Sequence, residues 1–384
     1  MSEPDDFSAL AQFEDCLGDL DKLMDQNGKV FLIGAGCSTC AGLPLMEELT
    51  TKVLESDSLD STTKAVLQGT QIGFSGAKRA NIEDYLSEIV DILAIVDRRT
   101  NCCDSDCRIS VAGTEYTNGQ LRDAAENIKR AIADVIASND RQMDISTHRN
   151  FVQTIHHPRR PGRISGNDPV YYLCLNYDTL LEDALALEKI SFADGLEGGA
   201  TGWWNPGVFD RDGLSSKLYK LHGSIDWCSL DDDPLPRRVA SNVAISTSAN
   251  KRVLIWPAST KYRETQRDPY AQLMQLARDA LKSSAGSQKI LLICGYSFGD
   301  AHINLEVDRA LRESAGRLTV VVFTGDDVPR GQVQTWCDDT DIGEQVLVFA
   351  KRGFFHGEIR KPSESTDLPW WKFENVSRLL GGER

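Results

Sequence analysis

The sequence predicts an α/β fold: a mostly parallel sheet with helices on both faces, interrupted by a helical insertion. Three observations carry this. Short apolar runs recur along the chain at Val30–Ile33, Tyr171–Leu175, Leu218–Leu221, Val253–Trp256, Ile290–Cys294, Leu318–Phe323 and Val346–Phe349. Helical stretches at 178–187, 270–283 and 300–313 alternate with them, the pattern of strands covered on both faces. The first run passes directly into Gly34-Ala35-Gly36-Cys37-Ser38, the strand, glycine turn and helix order of a Rossmann-like nucleotide site.

Residues 8–24 place Leu10, Phe13, Leu17, Leu20 and Leu23 at helical spacing, so residues 1–27 read as an N-terminal amphipathic helix and a candidate assembly element. The strand and glycine turn follow, then a helix from Glu47 to Leu54. Residues 57–164 read as the insertion. Ile82, Tyr85, Leu86, Ile89, Leu93 and Val96 share one helix face, and Leu121, Ala124, Ala125, Ile128, Ile132 and Val135 share another. Residues 99–118 between them are polar and read as a loop, and His156-His157-Pro158 with Pro161-Gly162 mark the exit. Residues 28–56 and 165–350 then form the nucleotide-binding domain, and 351–384 a C-terminal segment closing with a helix over Trp370–Leu380.

The hydrophobic fraction of 41% supports a sizeable core. No apolar run reaches the ~18–20 residues of a membrane helix, and the acidic start MSEPDDF lacks a signal-peptide pattern, so a cytoplasmic protein without a membrane partner is expected. A net charge of −15 argues against direct nucleic-acid binding, which needs a basic surface; Arg159, Arg160 and Arg163 form one small cluster. The ten cysteines are expected to be reduced thiols. Cys37-x-x-Cys40 has metal-like spacing but no second pair nearby, so no metal is expected.

Four strand ends carry polar or small residues. Gly34-x-Gly36 allows backbone to approach a phosphate, or forms a tight turn with no ligand. Leu175-Asn176-Tyr177-Asp178 puts Asn176 at a strand end; Asp178 can face a ligand or cap the next helix. Lys220-Leu221-His222-Gly223-Ser224 offers His222 as a general base or as a structural histidine. Cys294-Gly295-Tyr296-Ser297-Phe298-Gly299-Asp300 repeats the strand–turn–helix order, with Ser297 or Asp300 as an alternative cap.

Taken in this order, the motifs resemble the sirtuins over residues 28–56 and about 165–325. They are closer still to the divergent sirtuin-like proteins of prokaryotic antiviral defence, which share patterns similar to Asn81-Ile82-Glu83-Asp84-Tyr85-Leu86 and Gly295-Tyr296-Ser297-Phe298. The resemblance implies NAD as substrate. Gly34, Ala35, Gly36 and Ser38 would cradle its phosphates and nearby ribose, and Asn176 would hold the ribose beside nicotinamide. Asp178 would support that ribose or the turn, His222 would be the general base, and Gly295 and Ser297 would contact the adenosine half.

Two departures redirect the expected activity. Leu43-Pro44-Leu45-Met46-Glu47 stands where deacylases carry an Asp-Phe-Arg run, and the paired Cys-x-x-Cys of the family's zinc ribbon are missing, with Cys228 alone in that region. The resemblance therefore implies an NAD glycohydrolase, gated and used in defence by NAD depletion. It also implies a homo-oligomer and a HerA-class ATPase translocase as partner; the chain has no Walker-type phosphate loop of its own. A non-catalytic NAD or ADP-ribose sensor and an NAD-dependent protein deacylase are the alternatives.

Overall fold

The run Val30-Phe31-Leu32-Ile33 lies at the centre of the molecule because both of its faces are covered. Val30 and Leu32 join one apolar cluster, and Phe31 and Ile33 the other, as strand alternation requires. The computed structural model describes residues 7–75, 80–103, 107–137, 143–157, 168–230, 233–238, 252–255, 268–283, 286–363 and 367–383. The basic cluster at 159–163 lies outside them.

The main sheet has nine strands. From one edge they are Ile359–Pro362, Gly353–His356, Val346–Ala350, Leu318–Thr324, Lys289–Cys294, Lys29–Ile33, Val170–Cys174, Ser216–Lys220 and Phe192–Ala193. Every pairing from Val346–Ala350 to Phe192–Ala193 is parallel, and the two pairings at the other edge are antiparallel. This is the Rossmann-like α/β architecture expected. The chain moves outward on one side of Lys29–Ile33 and later returns to its other side. That reversal opens a crevice at the carboxyl ends of the central strands.

Helices Tyr270–Leu281, Ala301–Glu313 and Gly331–Asp338 cover one face through Leu273, Met274, Ile303, Val307, Val333 and Trp336. Helices Glu14–Met24, Ser146–His156, Leu180–Leu187 and Phe373–Leu380 cover the other. The apolar face of the N-terminal helix, Cys16, Leu17, Leu20 and Met24, thus packs against the chain's own sheet. Ser146–His156, within the segment read as insertion, packs there too, setting Phe151 edge-on to Phe31 at 5.2 Å.

Helices Met46–Leu54, Ser61–Gly73, Ile82–Cys103 and Asn118–Ala137 build a third core, which also takes in Tyr177, Leu180 and Ile255. The loop expected over 99–118 is instead the end of the Ile82–Cys103 helix and a hairpin, Arg108–Val111 with Thr114–Thr117. Each hairpin strand is four residues long, too short to register against the helical periodicity around it. The run expected as a strand at Val253–Trp256 is Arg252–Ile255, with Trp256 outside the described residues. It joins a second, five-stranded sheet, pairing antiparallel with Gly223–Leu230. A four-residue apolar run carries no information about its partner or direction.

Candidate active site

A cleft of about 1000 Å3 opens at the carboxyl ends of the central strands. This is at the upper end of the ~300–1,000 Å3 typical of small-molecule sites. Gly34, Ala35, Gly36, Ser38, Asn176, Asp178, His222, Gly295 and Ser297 all line it. Four separate strand-end turns meet there because hydrogen bonds extend the sheet past the strand ends. Gly34 N–H donates to Cys294 O, Leu175 N–H to Ile33 O, and Leu221 N–H to Cys174 O, each at 2.9 Å.

One end of the cleft is made of buried polar side chains. Asn176 Nδ2 donates to Ser38 Oγ at 2.8 Å, and Ser38 Oγ donates to Asp178 Oδ2 at 2.7 Å. The other carboxylate oxygen, Oδ1, accepts from Leu180 N–H at 3.1 Å. Asp178 therefore bonds the first N–H of the Leu180–Leu187 helix and lines the cleft at once. Asn176 Oδ1 is buried and takes up no hydrogen bond among the described residues. Buried polar atoms are almost always paired, so an acceptor left open in a cleft wall marks a place for a donor from a ligand or water. His222 is buried at 5% exposure, its ring centroid 6.0 Å from that of His302.

Beneath this end lies a fully buried lysine that sequence reasoning passed over. Lys220 Nζ donates to Asp178 O and pairs with Glu182 Oε1 at 3.1 Å. Burial opposes the ammonium charge, and Cys174, Glu182, Asp178 and Asp226 outweigh it, so the lysine pKa is raised and it stays charged. Burial pushes Glu182 up to about 7 against the pull of Lys220. The only sequence cue was a lysine two residues before the histidine.

The other end is made of backbone. The Gly34–Gly36 turn packs directly on the Gly295 turn, and Gly36 N–H donates to Gly295 O at 2.9 Å. A Cβ at Gly34 would lie 2.5 Å from Gly295 O, and one at Gly295 would lie 2.4 Å from Cys37 N. Gly295 also has φ +62°. These glycines are required by the contact between two turns, and the Gly34 and Gly36 N–H groups are already bonded within it. Tyr296 OH donates to Asp300 O at 3.1 Å, and Asn304 Nδ2 to Phe298 O at 2.8 Å, fixing the turn that presents Ser297. Burial drives the Cys37 thiol well above its ordinary pKa, which makes it a poor nucleophile.

The rest of the cleft wall was not legible in advance. Thr324 ends the Leu318–Thr324 strand and Gly325 and Asp326 follow it, while Trp371, Lys372, Phe373 and Glu374 arrive from the C-terminal segment. Carboxylates dominate: Glu47, Glu83, Asp84, Asp300, Asp326 and Glu374 line the cleft with Asp178, against a single lysine, Lys372, among the described residues. Such a wall favours a cationic group over an anionic one. In the second sheet Cys228 is buried, its Sγ donating to Arg237 O at 3.4 Å. Among the described residues no three His, Cys, Asp or Glu side chains gather as a metal site, and no helix is long and apolar enough to cross a membrane.

No curated protein matches the chain. A family profile described as a SIR2-like domain matches residues 171–341, a span holding Asn176, Asp178, His222, Gly295 and Ser297 but not the Gly34–Ser38 turn. That match supports the sirtuin-type resemblance of the sequence and, with it, NAD-linked chemistry in general.

Proposed function

We propose that the chain is an NAD glycohydrolase. The observation that carries this is the open, buried Asn176 Oδ1, held beside Ser38 and Asp178 in a cleft that also presents His222. NAD is the substrate. Its nicotinamide ring and the ribose carbon attached to it carry positive charge, which suits a wall rich in carboxylates. Its diphosphate has little cationic side chain to meet and would rely on the backbone around Ala35 and the hydroxyl of Ser297.

The bond between nicotinamide nitrogen and ribose carbon breaks through an oxocarbenium-like state, and its electron pair leaves with neutral nicotinamide. No general acid is needed for that departure. Asn176 orients the ribose and the incoming water, the contribution that positioning makes to such reactions. Water attacks the ribose carbon, and its proton passes to His222. The products are nicotinamide and ADP-ribose. The resemblance to defence proteins extends the reading to NAD depletion in antiviral defence, with activity gated by assembly and by a HerA-class ATPase.

The test is direct. The purified chain is incubated with NAD, with and without a HerA-class ATPase, and nicotinamide and ADP-ribose are followed by chromatography. Release of both in equal amounts is expected. Tight binding of NAD without turnover in either condition would replace this reading with the sensor. Stoichiometric deacylation of acyl-lysine peptides would replace it with the deacylase.

A further inference from the structure

The turn that carries Asn176 and Asp178 belongs to two cores at once. Asn176 and Asp178 bond to Ser38 in the cleft, while Tyr177 between them is buried in the apolar core of the insertion. Its hydroxyl donates to Glu83 Oε1 at 2.6 Å. A phenol bonded to a carboxylate is a strong, directional contact.

Glu83 is itself firmly placed. It sits in the first turn of the Ile82–Cys103 helix, and that helix start is capped from both sides. Asn81 Oδ1 accepts from Glu83 N–H at 2.8 Å, and Asp84 Oδ2 accepts from Asn81 N–H at 2.9 Å, a reciprocal capping box. Thr50 Oγ1, from the helix after the glycine turn, accepts from Ile82 N–H at 3.0 Å. On its other side the Tyr177 carbonyl accepts from Ile225 N–H at 2.9 Å and from Ser224 Oγ at 3.3 Å.

We propose that the Tyr177–Glu83 hydrogen bond is a positioning contact through which the helical insertion sets the aim of Asn176. A displacement of the insertion helix pulls on the Tyr177 side chain, whose carbonyl is pinned. The peptide unit joining it to Asn176 must then rotate, which moves the amide relative to Ser38. The insertion is thereby a control element for the cleft, and whatever binds it acts on Asn176. This inference rests on the NAD-cleaving reading.

The experiment uses the full chain with Tyr177→Phe, Glu83→Ala, Glu83→Gln and the Tyr177→Phe/Glu83→Ala double variant. Steady-state NAD cleavage and hydrogen exchange by mass spectrometry are measured on each. Tyr177→Phe and Glu83→Ala are each expected to lower kcat by on the order of ten- to a hundredfold, since small misplacements of a reacting group cost that much; KM should stay within about threefold in Tyr177→Phe and rise further in Glu83→Ala, which also removes a cleft carboxylate. Glu83→Gln keeps an oxygen that accepts from the phenol and is expected to recover most of the kcat lost in Glu83→Ala. The double variant should be no worse than the worse single, because both act through one bond. Exchange should quicken over 175–182 and stay unchanged over the central strand 289–294, where a merely structural role would loosen both. Wild-type kcat in Tyr177→Phe, or losses that add in the double variant, would overturn the proposal. If the wild-type chain releases no nicotinamide, the glycohydrolase reading fails by itself. Exchange then decides the contact alone: unchanged protection over 175–182 in Tyr177→Phe overturns it.

Discussion

The two ends of the cleft come from the same kind of strand-end turn, yet they are built on opposite principles. At the Asn176 end, buried polar side chains hold one another over a buried ammonium: Asn176 on Ser38, Ser38 on Asp178, Lys220 on the Asp178 carbonyl. At the Gly295 end, backbone packs on backbone with no room for a Cβ. The difference separates chemistry from architecture. Substitutions at the first end should remove function while the fold survives. Substitutions at the second should damage the fold, whatever chemistry remains.

The sharpest way to break that contrast is His222→Ala and Asn176→Ala. Removing a general base costs typically ~10²–10⁴ in rate, so we expect NAD cleavage to fall into that range with thermal unfolding nearly unchanged. Wild-type turnover in either variant would strike that residue from the mechanism. A large fall in the melting temperature would show that the polar end is architectural too.

Lys220→Met probes the boundary between the two principles. It leaves Glu182 buried without its counter-charge, and breaking a buried pair in this way costs about 3–5 kcal/mol. Glu182 is pushed up to about 7 by burial, so it escapes part of that cost by taking a proton. The loss measured by urea unfolding should therefore be larger at pH 8 than at pH 6. An equal loss at both would mean that Glu182 does not titrate in this range.

Gly295→Ala tests the backbone end. The new methyl would meet Cys37 N at 2.4 Å with φ held at +62°. Overpacking and positive-φ strain together amount to roughly 2–4 kcal/mol. Activity should fall only as far as the folded fraction falls. A stable but inactive variant would instead place Gly295 among the ligand contacts.

What was legible in the sequence follows the same physical divide. Val30–Ile33, Ile290–Cys294 and Leu318–Phe323 are strands covered on both faces, so they read as continuous apolar runs. Gly353–His356 and Ile359–Pro362 lie at the sheet edge, mixing Gly, Pro and charged residues, and gave no such run. Gly223–Leu230 follows directly on the His222 turn and was hidden by it. The strand-end motifs brought Asn176, Asp178, His222 and the glycine turns to notice because polar residues after apolar strands are visible locally. Their convergence on one cleft wall depends on strand order, which no local pattern states. Tyr177 and Glu83 lie 94 residues apart, and Trp371 reaches the cleft from the far end of the chain. Such contacts leave no trace in periodicity. Gly34 and Gly36 read as phosphate-facing or as a tight turn, and their N–H groups are bonded to Cys294 O and Gly295 O.

The smallest expected effect asks whether the polar end carries net charge, and it separates two groups that titrate in opposite senses. Glu182, raised by burial from 4.5 to about 7, binds a proton more readily folded than unfolded. Its contribution to stability is fully present below the unfolded value and is lost as pH rises through about 7. His156, lowered from 6.5 to about 4 by burial and by the nearby charges of His157 and Lys29, does the reverse. Its contribution is present above the unfolded value and is lost as pH falls through about 4. The two partly cancel in the wild-type curve, so the variants must be read as differences. Glu182→Gln should raise stability at pH 8 relative to pH 5 by about 2 kcal/mol compared with wild type, and His156→Gln should act in the opposite sense by a similar or smaller amount. Urea unfolding at the two pH values measures both. If Glu182→Gln leaves the difference unchanged, Glu182 is ionised throughout and the Lys220 charge beneath Asp178 is permanently balanced. If the shift is seen, the ammonium loses its partner's charge as pH falls below about 7, and Asp178 and Asp226 must then answer it.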